Sequence, residues 1–165
     1  MINLKIQKPT ELTDRLLKND TFDAFFLEEA EISGLISCKI HGTYTKDPAK
    51  AELLTDEELS SGFIRYKRVR ERLALLFEND APVAFNITLH AGANYTNRLK
   101  ENAALGDISS AIISPAVSFR LKNGELTAIT GISYNTFVLS KKADEIWDRD
   151  FTASLAALKI EFLIL

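Results

Sequence analysis

Apolar and polar residues alternate with a period of two in several short segments of this 165-residue chain. The alternation is plainest in INLKI, VAFNITLHA, AVSFRL and ELTAITGIS. Because successive side chains of a strand point to opposite faces, the pattern is typical of strands with one covered and one solvated face. Two of these strands flank Lys122, Asn123 and Gly124, and Asn-Gly favours a hairpin turn. The chain is therefore predicted to contain a mainly antiparallel sheet.

Other segments complete this prediction. AFFLEEAEISGLISCKIHGTYT indicates two strands, about 25–32 and 35–44, and KDPAKAELLTDEELSSG a polar, acidic connection. Apolar residues at helical spacing predict a short helix ending near residue 19, one over about 64–78, one in NYTNRLKEN and one from residue 141, with Ser140 as its N-cap. NTFVLS is expected to continue the sheet, and Gly131 to mark a bulge or bend. The fold class is α+β, with helices packed on the sheet.

The two halves of the chain resemble each other. A shift of 83 residues lays 2–19 on 85–102 without a gap, and five of these 18 positions are identical, among them Arg15/Arg98 and Leu16/Leu99. We expect one domain over 1–165, built from pseudo-repeats 1–82 and 84–165 of strand–helix–strand–strand–helix. Chance similarity between two amphipathic β-α-β-β runs is the alternative.

Composition excludes several classes of protein. The net charge of −3 argues against a protein wrapped in nucleic acid, although a local basic face remains open. The single cysteine, Cys38, cannot form an intramolecular disulfide, which favours a reducing, cytoplasmic compartment. The first residues have no apolar signal region, and no apolar run has the ~20 residues of a membrane span. Since no nucleotide-binding fingerprint or metal-ligand spacing occurs, we expect no cofactor and no metal.

LLKNDTFDAFFLEEAEI and GELTAITGISYNTFVLSKKADEIWD resemble the signatures of an uncharacterised family of Firmicute proteins, known only as a domain of unknown function. The shared features are D-T-F-D, G-x-L-x-x-x-T-G-x-S and a Trp-Asp pair on the last helix. Where that family has Asp-Gly in its first hairpin turn, this chain has His41-Gly42. This resemblance implies no activity and no catalytic residues.

The paired halves are also similar in topology to the repeat unit of DNA sliding clamps, in which basic residues on a helix face DNA. That likeness implies a weak candidate set for nucleic-acid or phosphate contact: Arg15 and Arg98, at matching positions of the two short helices. The helix in GFIRYKRVRERL adds Arg65, Arg68 and Arg72 on one face. A solvated basic face, neutralised by the acidic run TDEEL just upstream, is the alternative.

Candidate catalytic groups are few. Asp20 and Asp23 are weak candidates for paired carboxylates, against ordinary turn residues. Cys38 and His41 lie three apart on a strand and point to opposite faces, so they are not expected to share a metal. His90 has no carboxylate partner in sequence. Ser133 and Tyr134 lie in no nucleophile motif.

The leading hypothesis is a non-enzymatic binding or assembly module, and the rival is a small enzyme that uses Asp20 and Asp23. An enzyme would have a concave pocket that converges on polar groups, and a binding module an apolar patch or a sheet edge. Trp147 is predicted to be buried. The apolar end LKIEFLIL is predicted to fold back as an edge strand or to pair with a second copy, so self-association is one candidate interaction and an unknown protein partner another.

Overall fold

The computed structural model describes residues 1–44 and 47–165. Within them, seven strands, six α-helices and one 3-10 helix follow one another along the chain. They are β1 (Asn3–Ile6), α1 (Pro9–Leu17), β2 (Phe26–Ser33), β3 (Ser37–His41), α2 (Pro48–Ala51), α3 (Asp56–Ser61), α4 (Tyr66–Leu76), β4 (Ala84–His90), α5 (Ala93–Lys100), the 3-10 helix (Ala103–Ala111), β5 (Ile112–Lys122), β6 (Glu125–Tyr134), α6 (Lys142–Ala157) and β7 (Phe162–Ile164).

All seven strands join one sheet in the order β3-β2-β4-β5-β6-β1-β7. Each neighbouring pair is antiparallel, which confirms the predicted α+β class. The β5–β6 hairpin turns at Asn123 and Gly124, which both have positive φ, 52° and 76°. Such angles match the twist of the two flanking strands, so the turn inferred from Asn-Gly is confirmed.

One face of the sheet carries the main core. Alternate strand residues such as Leu4, Ile87 and Phe119 are fully buried there, against apolar stripes of three helices. These stripes are Leu12, Leu16 and Leu17 of α1, Tyr66, Val69 and Leu73 of α4, and Trp147, Phe151 and Leu155 of α6. Trp147 is only 3 % exposed, so its predicted burial is confirmed.

The opposite face of the sheet, called here the outer face, is largely polar. Directly paired residues of adjacent antiparallel strands share a face, so Thr88 of β4 lies beside Ser118 of β5 there. Their hydroxyl oxygens are 2.8 Å apart. A polar outer face explains the period-two alternation in the strand sequences.

The structure corrects the predicted irregularities of the sheet. Gly131 pairs regularly with Ala116, so it marks no bulge. The bulges lie instead at Glu28 of β2 and at Ile113 of β5, where the register shifts by one residue. His41 is the last residue of β3 and Gly42 follows it, so this pair is not the hairpin turn, since β2 and β3 are joined through residues 34–36.

Three other predictions change. The segment predicted to be a polar connection contains the two short helices α2 and α3. Helix α3 begins with a full capping box between Thr55 and Glu58, which was not recognised in the polar sequence. Lys46, the first residue of the predicted connection, lies outside the described residues. The NTFVLS segment is not a strand. Lys141 occupies the N-cap of α6, and the Ser140 hydroxyl accepts a long 3.4 Å bond from the Lys142 N–H.

The internal repeat is not confirmed. Segments 2–19 and 85–102 are both a strand followed by a helix. Their surroundings differ, since β4 lies between β2 and β5, whereas β1 lies between β6 and β7. The likeness to sliding clamps stays a prediction.

The chain end folds back on its own sheet. Strand β7 pairs with β1 as an antiparallel edge strand, and Ile160 just before it is buried. The fold-back arrangement is therefore present, while Leu163, Ile164 and Leu165 remain more than half exposed. Among the described residues, no helix has the length and apolar character needed to cross a membrane.

Candidate functional site: an aromatic cleft

A cleft of about 670 Å³ opens between α5, α6 and the segment 21–25. We call it the aromatic cleft, because five of its lining residues are aromatic: Phe22, Phe25, Tyr95, Trp147 and Phe151. Its size and mainly apolar lining are those of small-molecule sites in proteins.

Helix α6 supplies the floor. Trp147 and Phe151 are four apart on its buried stripe, with ring centroids 5.3 Å apart. The Trp147 indole Nε1–H donates a 2.9 Å hydrogen bond to the Ala116 carbonyl of β5, which fixes the ring against the sheet. Tyr95 of α5 packs beside it at 5.1 Å between centroids. The floor is therefore rigid.

An ion pair holds one wall. The Arg70 guanidinium of α4 donates two hydrogen bonds, 2.6 and 2.9 Å long, to the two carboxylate oxygens of Asp23. Both side chains are largely buried, and the flanking Phe22 and Phe25 line the cleft. Removing either partner would leave a partly buried charge unpaired, so this pair fixes the wall in place.

Close packing of the backbone completes the wall. A Cβ added at Gly92 would come within 2.8 Å of the Ala24 carbonyl oxygen. Only glycine allows this approach, which brings the start of α5 against the segment 21–25. Gly92 is also the N-cap of α5 and has no side chain to cap the helix, and the residues of the first turn, Ala93 to Tyr95, line the cleft.

The charges of the cleft are unevenly paired. Arg65 forms an ion pair with Glu57, and the Tyr95 hydroxyl donates to Asp150 at 2.9 Å. Burial raises the pKa of Tyr95, and the bond to Asp150 raises it further, so the phenol stays protonated. Arg98 lies over the Tyr95 ring, with its guanidinium carbon 5.1 Å from the centroid. Its guanidinium has no carboxylate within 4 Å among the described residues.

This arrangement suits a ligand with an apolar body and one negative group. Aromatic floors bind flat apolar surfaces, and Arg98 presents a fork of N–H donors that matches a carboxylate, sulfonate or phosphate. The uncapped first turn of α5 adds the positive end of a helix dipole to the same cleft.

The two predicted carboxylates play different parts. Asp23 is bound by Arg70, and Asp20 is an exposed turn residue whose carbonyl accepts the Asp23 N–H at 3.0 Å. Both carboxylate oxygens of Asp23 already accept hydrogen bonds from Arg70, so neither is free to contact a substrate. The geometry places Asp23 in the framework of the cleft.

The five predicted arginines separate. Only Arg65 and Arg98 line the aromatic cleft. Arg15 donates to the Leu158 carbonyl at the end of α6, 3.3 Å away. Arg68 binds the buried Glu58, and Arg72 is exposed on α4. The acidic run upstream therefore neutralises Arg65 and Arg68, the alternative that the sequence left open.

The remaining candidates lie elsewhere. Cys38 is half-buried on the core side of β3, whereas His41 is exposed beside Glu29, so they point to opposite faces. Tyr134 donates to Asp144 at 3.0 Å. His90 does have a carboxylate partner, Glu28, 62 residues earlier in the chain. A contact over that distance has no local signal in the sequence.

Sequence reasoning missed most of the aromatic cleft. It singled out Trp147 as a buried residue and Arg98 as a basic residue. The available signal was the run FDAFF, in which Phe22 and Phe25 lie between α1 and β2 and Phe26 begins β2. An aromatic cluster in a connection is unusual, since connections are mostly polar and solvated.

Comparison with known proteins adds the family. No curated protein and no solved structure matches the chain. The model of one family matches residues 15–163, which covers most of the chain, the aromatic cleft included. The resemblance inferred from the two signature segments is thereby confirmed. The chain belongs to DUF5721, a family of unknown function.

Proposed function

We propose that this protein is a binding module, and that its aromatic cleft captures a small organic anion with an aromatic or similarly flat apolar body. The observation that carries the proposal is the position of Arg98, at an aromatic-floored cleft and without a carboxylate partner among the described residues. Arg98 is exposed to solvent, and its stacking on the Tyr95 ring holds the guanidinium beside the aromatic floor, where an anionic group of a bound ligand can reach it.

The setting of the module is part of the proposal. A lone, half-buried cysteine suits the reducing cytoplasm of a bacterial cell. The proposal also includes an interaction at the free sheet edge. Either a protein partner or a second copy of the chain would dock on the exposed residues of β7.

Binding can be followed through Trp147, since it is the only tryptophan of the chain. We expect naphthalene-1-carboxylate to quench its fluorescence saturably and more strongly than the neutral naphthalene-1-methanol. Changing Arg98 to alanine should weaken carboxylate binding about tenfold, the usual effect of losing one charge-assisted hydrogen bond. It should leave binding of the neutral alcohol unchanged.

Arg72→Ala is the matched control, because it removes an exposed arginine of α4 outside the cleft. If Arg98→Ala and Arg72→Ala weakened carboxylate binding equally, the proposed binding site in the aromatic cleft would be contradicted. If both variants also lost binding to a single-stranded oligonucleotide in a salt-dependent way, the arginines would serve nucleic acid instead.

A further inference from the structure

A second cleft, of about 550 Å³, lies at the end of the outer face where β4 meets β5. His90 is 6 % exposed and has two partners there. Its Nδ1 lies 2.7 Å from the Ser114 Oγ, and its Nε2 lies 2.6 Å from a carboxylate oxygen of Glu28. A hydroxyl, an imidazole and a carboxylate thus form one continuous chain of hydrogen bonds.

The tautomer of His90 follows from its partners. An ionised carboxylate only accepts hydrogen bonds, so the hydrogen must lie on Nε2 and be donated to Glu28. Nδ1 then carries a lone pair and accepts the Ser114 hydroxyl proton. This is the state that a general base needs in order to activate a serine.

Two β-bulges lie at or next to the residues that contact His90. The extra residue of β2 is Glu28 itself, and the extra residue of β5 is Ile113, directly before Ser114. Bulges redirect side chains and are frequent beside active sites. Here they occur on both strands that neighbour β4, at the same end of the sheet. The Phe63 ring stacks on the His90 ring, with the two centroids 4.8 Å apart, and fixes the plane of the imidazole.

Of the three hydrogen-bonded residues, the two that would react with a substrate are the ones at the cleft. Ser114 and His90 line the cavity, whereas Glu28 does not. Glu28 contacts the imidazole nitrogen opposite the one that contacts Ser114, and its own side chain is 48 % exposed outside the cavity. Phe26 and Ile112 give the cavity apolar walls, and Asn97, Asn135 and Lys100 supply N–H donors.

We propose that Ser114, His90 and Glu28 form a hydrolytic site for small carboxylic esters. Ser114 Oγ attacks the ester carbonyl carbon while its proton passes to His90 Nδ1. The bond to the alcohol oxygen breaks, and His90 returns the proton to that oxygen. Water then attacks the acyl-serine, giving a proton to His90, and the carboxylic acid leaves as the proton returns to Ser114. Glu28 is a positioning residue that holds the Nε2–H tautomer.

The test uses a fluorophosphonate probe, which phosphonylates activated serines, and 4-nitrophenyl acetate as substrate. We expect the full-length protein to be labelled on Ser114, as located by peptide mass spectrometry. Ser114→Ala should abolish labelling and lower the ester hydrolysis rate at least about 100-fold, the range of general base catalysis. Ser118→Ala is the matched control, because it removes a cross-strand hydroxyl that bonds Thr88 and not a histidine. It should keep both activities.

Glu28→Gln separates positioning from stability. A glutamine amide can donate to His90 Nε2 and favour the wrong tautomer, so kcat should fall at least about tenfold with the thermal midpoint unchanged. The proposal is overturned if Ser114 is not labelled in the folded protein, or if Ser114→Ala and Ser118→Ala hydrolyse the ester at the same rate. It is also overturned if Glu28→Gln lowers the midpoint and leaves kcat intact, since the triad would then be a purely structural network.

Discussion

At the scale of single residues, buried polar groups reveal more about this protein than its apolar ones. Glu58 is completely buried, yet it stays ionised. Burial by itself raises the pKa of this carboxyl. Hydrogen bonds from the Arg68 side chain and from the backbone N–H groups of Arg65 and Thr55 outweigh that effect and lower the pKa to about 2. One carboxylate thus joins α3 to the start of α4.

This gives a prediction for acid stability. A depressed folded-state pKa stabilises the protein above the unfolded value near 4.5, and the stabilisation is lost as the pH falls toward about 2. The shift corresponds to about 3 kcal/mol. Urea unfolding at pH 6 and pH 2.5 should show wild type losing more stability than Glu58→Gln by an amount of this order. Asp56→Asn, an exposed acid of the same helix, is the control. If wild type and Glu58→Gln lost the same free energy of unfolding between the two pH values, the ionised state of Glu58 in the folded protein would be contradicted.

Trp147 gives the second prediction at this scale. It fills the floor of the aromatic cleft and bonds the Ala116 carbonyl, so Trp147→Ala leaves a large cavity and an unpaired carbonyl. We expect a loss of about 3–5 kcal/mol in the free energy of unfolding. Phe137→Ala should change it by less than about 0.5 kcal/mol, because Phe137 is 84 % exposed. Comparable losses in these two variants, measured by chemical denaturation, would show that α6 is not docked as described.

At the scale of elements, local patterns predicted secondary structure well where period and turn chemistry agreed. The β5–β6 hairpin was predictable because alternation and Asn-Gly point to the same register. Two short helices escaped notice because α2 and α3 are polar and too short to show a period. The segment after Tyr134 was misread since its apolar Phe137 and Leu139 are exposed in a connection.

The edge strand β7 gives an element-scale prediction. It adds backbone hydrogen bonds to β1, and Ile160 is buried just before it. Deleting residues 160–165 removes this burial and bares the edge of β1, so we expect about 3 kcal/mol or more of lost stability and a tendency to aggregate. Thermal unfolding and sedimentation velocity would measure both. A truncated chain that remained monomeric and equally stable would show that the tail contributes nothing.

At the scale of the whole molecule, the sites depend on contacts that the sequence does not display. Arg70 and Asp23 are 47 residues apart, and Glu28 and His90 are 62 apart. Only the order of the strands in the sheet brings such pairs together. The similarity of the two halves did not indicate that β1 would pair with β6. The fold class was predictable because alternation constrains a sheet locally, whereas strand order is a property of the complete chain.

The central claim, that Arg98 and the aromatic floor bind an organic anion, has a direct test in the indole N–H resonance of Trp147. With one tryptophan in the chain, a ¹H–¹⁵N correlation spectrum contains one such signal, which needs no assignment. Titration with naphthalene-1-carboxylate should shift it saturably in wild type, and much higher ligand concentrations should be needed in Arg98→Ala. An indole signal that stays in place at saturating carboxylate, while backbone amides of the outer face move, would contradict the account.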